Sequence, residues 1–346
     1  MFVKDIGIDL GTANVLIYVK GEGIVLNEPS VVAIDSETKK PLAVGSEAKE
    51  MLGRTPGNVT AIRPMKDGVI ADFEATEVML NYFIRKINGR NFFSRPRILI
   101  CCPTNITPVE KNAIRDAAER TGAKKVYIEE EPKVAAVGAG MDISRPSGNM
   151  VIDIGGGTTD IAVLSLGGLV TSSSIKVAGN VFDMDIIKYV KDKYKLLIGD
   201  RTAEEIKVTI GSVYPENKKE KMEVRGRDLV TGLPHTVTIC SDEIEEALRE
   251  SVYTIVHTAK NVLEQTPPEL SSDIIDKGIV ITGGGALIDG FDKLLEHELK
   301  VPVYIAESPL TCVAEGTGIL LDNINILEGR WKSTFLYVYQ INICIY

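Results

Sequence analysis

The chain has 346 residues and a net charge of −9, with 44% hydrophobic and 25% charged residues. That length accommodates two ordinary domains around a large buried core, and the acidic balance does not imply general affinity for nucleic acid. Cys101, Cys102, Cys240, Cys312 and Cys344 lack zinc-ligand spacing and read as free thiols of a reducing cytoplasm. Asp5 and Asp9 interrupt the first apolar stretch, so no signal peptide is expected, and no apolar run reaches transmembrane length.

In chain order, apolar patterning predicts strands over 5–10, 14–20, 23–26 and 30–34. A turn-rich, charged stretch over 36–65 fits a small inserted subdomain. Helical spacing returns over 74–87, and R-I-L-I-C-C at 97–102 reads as a buried strand stopped by Pro103. Thr107 and Glu110 form a capping box with proline at the first helical position, launching a helix to about Thr121. A strand over 125–129 runs into Glu130, Glu131 and Pro132, and an alanine-rich helix is expected over 134–140.

The second half repeats that order. Strand hairpins are expected over 150–177, a helix over 183–195, and a second capping box, Thr202 to Glu205, opening a helix to about Ile210. A β-rich piece over 221–240 precedes a long amphipathic helix over 241–265, stopped at Pro267 and Pro268. A strand over 278–281, a helix over 291–299, a strand over 301–305 and a last helix over 310–321 follow. Strands alternating with helices predict an α/β fold in which helices cover mixed sheets. Two such halves, each with a small insertion, make a clamp of four subdomains.

One motif occurs twice: I-D-L-G-T-A-N at 8–14 and I-D-I-G-G-G-T-T-D at 152–160. Each reads as a strand ending in aspartate, a glycine turn and a second strand. Such a turn aims backbone N–H groups at a phosphate oxygen, and glycine lets the backbone approach closely. Two copies predict two half-sites closing on one polyphosphate, whose charge Mg²⁺ would most simply neutralise. A third glycine run, I-T-G-G-G-A-L at 281–287, also follows a strand. Taken singly, each run also fits a plain tight turn.

These motifs resemble those of the superfamily of actins, heat-shock chaperone ATPases and sugar kinases. Within it the chain resembles the MreB/Mbl bacterial actin family over roughly residues 3–327, in D-I-G-I-D-L-G-T-A-N-V-L-I-Y-V-K-G at 5–21, V-L-N-E-P-S-V-V-A-I at 25–34, R-P-M-K-D-G-V-I-A-D-F at 63–73, P-S-G-N-M-V-I-D-I-G-G-G-T-T-D-I-A-V at 146–163 and G-R-D-L-V-T-G-L-P at 226–234. The resemblance implies an actin-like ATPase fold: two RNase H-like halves, each with a small inserted subdomain, and nucleotide in the central cleft. Domain I would span 1–145 with its insertion near 35–65, and domain II 146–310 with its insertion near 182–240. A final helix over 311–327 would return to domain I, before an atypical tail over 328–346. The implied function is an ATP-dependent, membrane-associated filament protein that organises cell-wall synthesis and maintains rod shape, cytoplasmic and peripheral at the inner membrane face. Its implied partners are itself, the membrane surface and wall-elongation proteins of RodZ, MreC, MreD and RodA type. Slow ATP hydrolysis would time filament turnover.

On this resemblance Asp9 and Asp153 hold Mg²⁺ through water; the alternative for each is turn capping. Gly11, Thr12, Ala13 and Asn14 form one phosphate cradle, and Gly155, Gly156, Gly157 and Thr158 the other, with Thr158 supplying a catalytic hydroxyl. Glu131 activates the attacking water, chosen over Glu129 and Glu130 because it directly precedes proline. Asp160 is expected to lie too far along its strand to reach the phosphates. Glu204, Glu205, Ile206 and Lys207 would meet the adenosine, although without the resemblance an ordinary charged helix face is the better reading of them, and Gly284, Gly285, Ala286 and Leu287 would form the opposing wall.

The chain begins almost at its first strand, so the N-terminal amphipathic helix of some relatives is not expected. Phe92 and Phe93, flanked by basic residues, instead fit a loop entering an anionic lipid interface, or else a pair covering their own core. The apolar alternation near the end of the chain, over 339–345, is strand-like and sticky. Two rival readings share the hairpins. A small-molecule kinase needs a substrate pocket, and a chaperone ATPase needs a peptide-binding domain.

Overall fold

The computed structural model describes residues 5–88, 95–214 and 219–323. Two five-stranded sheets dominate it. The first runs in the order Lys125–Glu130, Arg97–Cys102, Asp5–Leu10, Asn14–Val19, Gly23–Pro29. The second runs Val303–Ile305, Ile279–Thr282, Asn149–Ile154, Thr159–Ser165, Gly168–Ile175. The two orders are the same: a motif strand at the centre, its antiparallel hairpin on one side and two parallel strands on the other. Ile8 faces Ile17 and Ile100 in the first sheet, as Ile152 faces Ile161 and Ile281 in the second. The motif repeat is thus the visible trace of a repeated sheet.

The central strands read as nearly continuous apolar runs because helices cover both faces. Ile98 and Ile100 pack outward against Met79, Phe83 and Ile114 of helices Phe73–Asn88 and Pro108–Arg120. Leu99 and Cys101, one residue out of step, face inward. There they join Val151, Ala162 and Leu164 of the second sheet and Val134, Ala135, Val313 and Leu320 in one core. Helices Glu131–Gly138 and Cys312–Asp322 supply those last four and lie between the sheets. The pair packs backbone to backbone: a methyl group on Gly138 would collide with the Cys312 carbonyl, and one on Gly316 with the Val134 carbonyl. Outside the second sheet, helices Gly179–Tyr194, Ser241–Glu264 and Phe291–Leu299 close a third core around Phe182, Leu248 and Phe291.

Smaller pieces flank these layers. Pro41–Val44, Val32–Asp35 and Val59–Ile62 form one three-stranded sheet, with helix Ser46–Met51 beside it. Leu196–Leu197, Lys221–Asp228 and Pro234–Cys240 form another. Among the described residues, no helix is long and apolar enough to cross a membrane.

Several expectations need correction. The capping box at Thr202 does not form: helix Asp200–Ile210 starts earlier, behind Gly199, and the Thr202 amide already bonds the Gly199 carbonyl within the first turn. Pro267 and Pro268 end one helix but also start another, Pro268–Lys277, because proline fits a first helical turn. Helix Glu131–Gly138 begins three residues before Val134, which puts Glu131 at its N-terminus.

An unforeseen capping box opens helix Ser241–Glu264. Glu243 accepts from the Cys240 amide at 2.9 Å, from the Tyr194 hydroxyl, and from Lys193 at 2.7 Å. Burial alone would raise its carboxyl, but these donors outweigh it and hold the pKa down at about 2, against 4.5 ordinarily. A depressed carboxyl stabilises the fold above its unfolded pKa and loses that contribution as pH falls from 4.5 towards 2. Glu243→Gln should therefore cost about 2 kcal/mol at pH 7 and clearly less near pH 3, as chemical denaturation at the two pH values will measure.

Candidate functional site

The two motif turns face each other. A methyl group built on Gly156 would lie 2.7 Å from the Ala13 side chain, and one on Gly157 would collide with Thr12. Each turn is braced by neighbouring backbone. Ser30 donates through Oγ to the Gly11 carbonyl at 2.6 Å and through its amide to the Ala13 carbonyl at 2.9 Å. The Gly155 amide closes its turn on the Thr158 carbonyl at 2.9 Å, and the Gly179 and Asn180 amides bond the Gly155 and Gly156 carbonyls. The Gly68 amide, in the tight turn after Lys66, donates to Thr12 Oγ1 at 3.0 Å and roofs the junction.

A cavity of about 440 Å³ opens between the turns. Its lining includes Asp9, Gly11, Thr12, Ala13, Asn14, Glu131, Asp153, Gly155, Gly156, Gly157 and Thr158, which the structure brings together. Of the three adjacent glutamates only Glu131 lines it, while Glu129 pairs with Lys133 at 2.8 Å. Burial raises Asp9 to about 7. Asp153 and Glu131 are pushed well above the carboxylate range by burial first and then by their acidic neighbours. Packing carboxylates together at the end of a cavity is costly unless a cation joins them.

At the other end, Glu204, Lys207, Gly284, Gly285 and Leu287 line the cavity. Glu205, Ile206 and Ala286 do not. Ile206 belongs to the apolar stripe with Ala203 and Ile210, so helical spacing turns Glu204, Lys207, Val208 and Gly211 to the cavity instead. Glu205 is exposed, and Ala286 is fully buried in the core beneath the glycine wall. Lys207 is held by Asp183 at 2.8 Å and by the Gly179 carbonyl at 2.9 Å.

Residues unforeseen from the sequence complete the lining. Lys49 reaches across to Glu204 at 3.1 Å, and Arg63 reaches Asn180 at 3.5 Å. Asn180 and Asp183 sit in the first two turns of a helix that was expected to begin only at 183; its start carries no capping side chain to mark it. Phe92, Phe93 and the tail over 328–346 lie outside the described residues.

Comparison with known proteins agrees with this geometry. The family model described as MreB/Mbl protein matches residues 3–329. The chain is 69% identical over 330 residues to the cell shape-determining protein Mbl of Bacillus cereus, covering 95% of this chain and 99% of that protein. It is 54% identical over 334 residues to the cell shape-determining protein MreB of Escherichia coli, covering 95% and 96%. Crystalline MreB5 of Spiroplasma citri bound to AMPPNP superimposes with a TM-score of 0.90 at 44% identity, covering 95% of this chain and 99% of that one. The MamK double helical filament, at 21% identity, shares the fold with a TM-score of 0.78, over 92% and 98% of the two chains. The fold is actin-like, and the chain belongs to the MreB/Mbl family.

Proposed function

We propose that this chain is an ATP-binding, actin-like protein that assembles into filaments and determines cell shape. The carrying observation is the pair of phosphate-type turns meeting across one cavity that the carboxylates of Asp9, Asp153 and Glu131 also line. MreB5 crystallised with AMPPNP and with ADP, and relatives named for cell shape, support the reading. The kinase and chaperone alternatives gain no support, since the relatives matching 95% of the chain bear neither name.

On this reading the triphosphate lies between residues 11–14 and 155–158, and the adenosine reaches Glu204, Lys207 and the wall at Gly284, Gly285 and Leu287. The residues fit a hard cation: Asp9 and Asp153 offer only oxygen, and burial raises the pKa of both, that of Asp153 further through its acidic neighbours. Mg²⁺ sheds water reluctantly, so the two carboxylates would hold it through its water shell. Bound there, the ion would neutralise phosphate charge.

The division into 1–145, 146–310 and a returning helix over 311–327 goes with this reading: nucleotide touching both halves favours the closed clamp, and slow hydrolysis relaxes it. A location at the inner membrane face, contact of Phe92 and Phe93 with lipid, and partners of RodZ, MreC, MreD and RodA type rest on family membership. Electron microscopy of the purified protein on anionic vesicles is the test. Filaments with ATP that shorten or vanish with ADP are expected, and monomers under every condition would refute the assembly reading.

Gly156→Val should push the turns apart, because even its first carbon meets Ala13. Affinity for a fluorescent ATP analogue should fall at least about 10-fold, equivalent to ~1.4 kcal/mol, with little change in melting temperature.

A further inference from the structure

Two cations reach across the cavity from one half to the other. Lys49 Nζ meets Glu204 Oε1 at 3.1 Å, and the Arg63 guanidinium lies 3.5 Å from Asn180 Oδ1. Lys49 and Arg63 belong to the small sheet beside the first half, on helix Ser46–Met51 and just after strand Val59–Ile62. Glu204 and Asn180 belong to helices Asp200–Ile210 and Gly179–Tyr194 of the second half. The Lys49 and Glu204 side chains line the cavity and are each 39% exposed, so they bridge an open gap rather than a packed interface. The arm that carries Lys49 is pinned. Helix Ser46–Met51 starts behind Gly45, which has no side chain to cap it. Glu28, on strand Gly23–Pro29 of the first sheet, holds the helix start instead: it accepts from the Ser46 amide at 2.9 Å and from the Ser46 hydroxyl at 2.7 Å, and pairs with Lys86 at 3.1 Å. Ala48 fixes the other side of the helix in a small core with Val31, Ala33 and Ala43.

Glu204 can serve two partners at once. Lys49 takes Oε1, and the second carboxylate oxygen can accept from a ribose hydroxyl. A nucleotide can therefore occupy the cavity with the bridge closed over it. We propose that Lys49 and Glu204 form a latch between the two halves that must part before nucleotide enters or leaves, so that the pair sets the rate of exchange rather than the affinity. This rests on the nucleotide reading above. An exposed ion pair adds little to the stability of the fold, but here it acts on the smaller balance between open and closed clamp. Nucleotide passes only through the open form, so entry and release both scale with the open fraction. Weakening the latch raises that fraction in the empty and the loaded protein alike. A direct ligand of the nucleotide behaves otherwise. Its loss speeds release but leaves entry unchanged or slower, because a cation that attracts the phosphates has gone.

Stopped-flow mixing of dilute protein with a fluorescent ATP analogue measures entry, and displacement of the bound analogue by excess ATP measures release. In Lys49→Met both rates should rise about two- to fivefold, with affinity held within about twofold and the melting temperature unchanged. Lys49→Glu sets two carboxylates face to face and should raise both rates about 10-fold. At about 0.5 M salt the wild-type and Lys49→Met rates should converge, because screening already weakens the bridge. Wild-type rates in both variants, a difference that salt leaves undiminished, or faster release without faster entry would each overturn the latch, the last outcome making Lys49 a ligand of the nucleotide instead. Wild-type protein that binds no ATP analogue would remove the nucleotide reading itself.

Discussion

Replacing Glu131 with glutamine should slow single-turnover phosphate release by about 10²- to 10⁴-fold while nucleotide still binds. The cause is local. Glu131 is the first residue of helix Glu131–Gly138, and it alone of the three adjacent glutamates lines the cavity. Burial and the charges of Asp153, Asp160 and Asp9 raise its pKa, which makes its ionised form a stronger base. Glutamine keeps the size and the hydrogen-bonding reach but cannot take a proton. Affinity for ATP should hold or tighten slightly, since a negative charge near the phosphates is removed. Filaments should form with ATP and persist, because the step that weakens them is blocked. Glu130→Gln is the control: its side chain does not line the cavity, and its rate should match wild type. Equal loss in both variants would mean that charge at the helix start matters rather than a proton acceptor.

What the sequence disclosed and what it hid follow from how each residue is used. The phosphate turns were legible because close backbone approach demands glycine, and few other residues serve. Their repetition carried the sheet order as well, since each motif strand takes the same neighbours in its sheet. Lys49 and Arg63 were not legible: a lysine on a short helix and an arginine after a strand look like ordinary surface until the chain folds them over the cavity. Ile206 could have been excluded from the start, because its three- and four-residue spacing with Ala203 and Ile210 marks a buried stripe. Asp160, left out of the site for its place along the second strand, does not line the cavity, although across the hairpin ladder it lies opposite Asp153. Helix Gly179–Tyr194 hid its start because its first amides are satisfied by the glycine turn's carbonyls rather than by a capping side chain.

The second large effect is a stability that falls as pH rises. In the protein without nucleotide or cation, burial lifts Asp9 from 3.8 to about 7, and Asp153 and Glu131 are raised too. The unfolded chain loses the Asp9 proton near 3.8, whereas the folded chain keeps it until about 7. Across that interval the folded state binds more protons, so stability declines with pH and levels off above it. For Asp9 alone the decline is on the order of 4 kcal/mol, or roughly 5–10 °C in melting temperature. Carboxylates with lowered values, such as Glu28 and Glu243, act with the opposite sign, but their interval lies below 4.5 and is already passed at pH 5. Calorimetry from pH 5 to pH 8 should therefore show the melting temperature dropping in wild type and a shallower slope in Asp9→Asn. Millimolar Mg²⁺ with ADP should restore the loss at pH 8 and do much less at pH 5, because the cation stabilises only the ionised carboxylates. A slope identical in wild type and Asp9→Asn, or equal rescue at both pH values, would mean that the buried acids are not the seat of the cation.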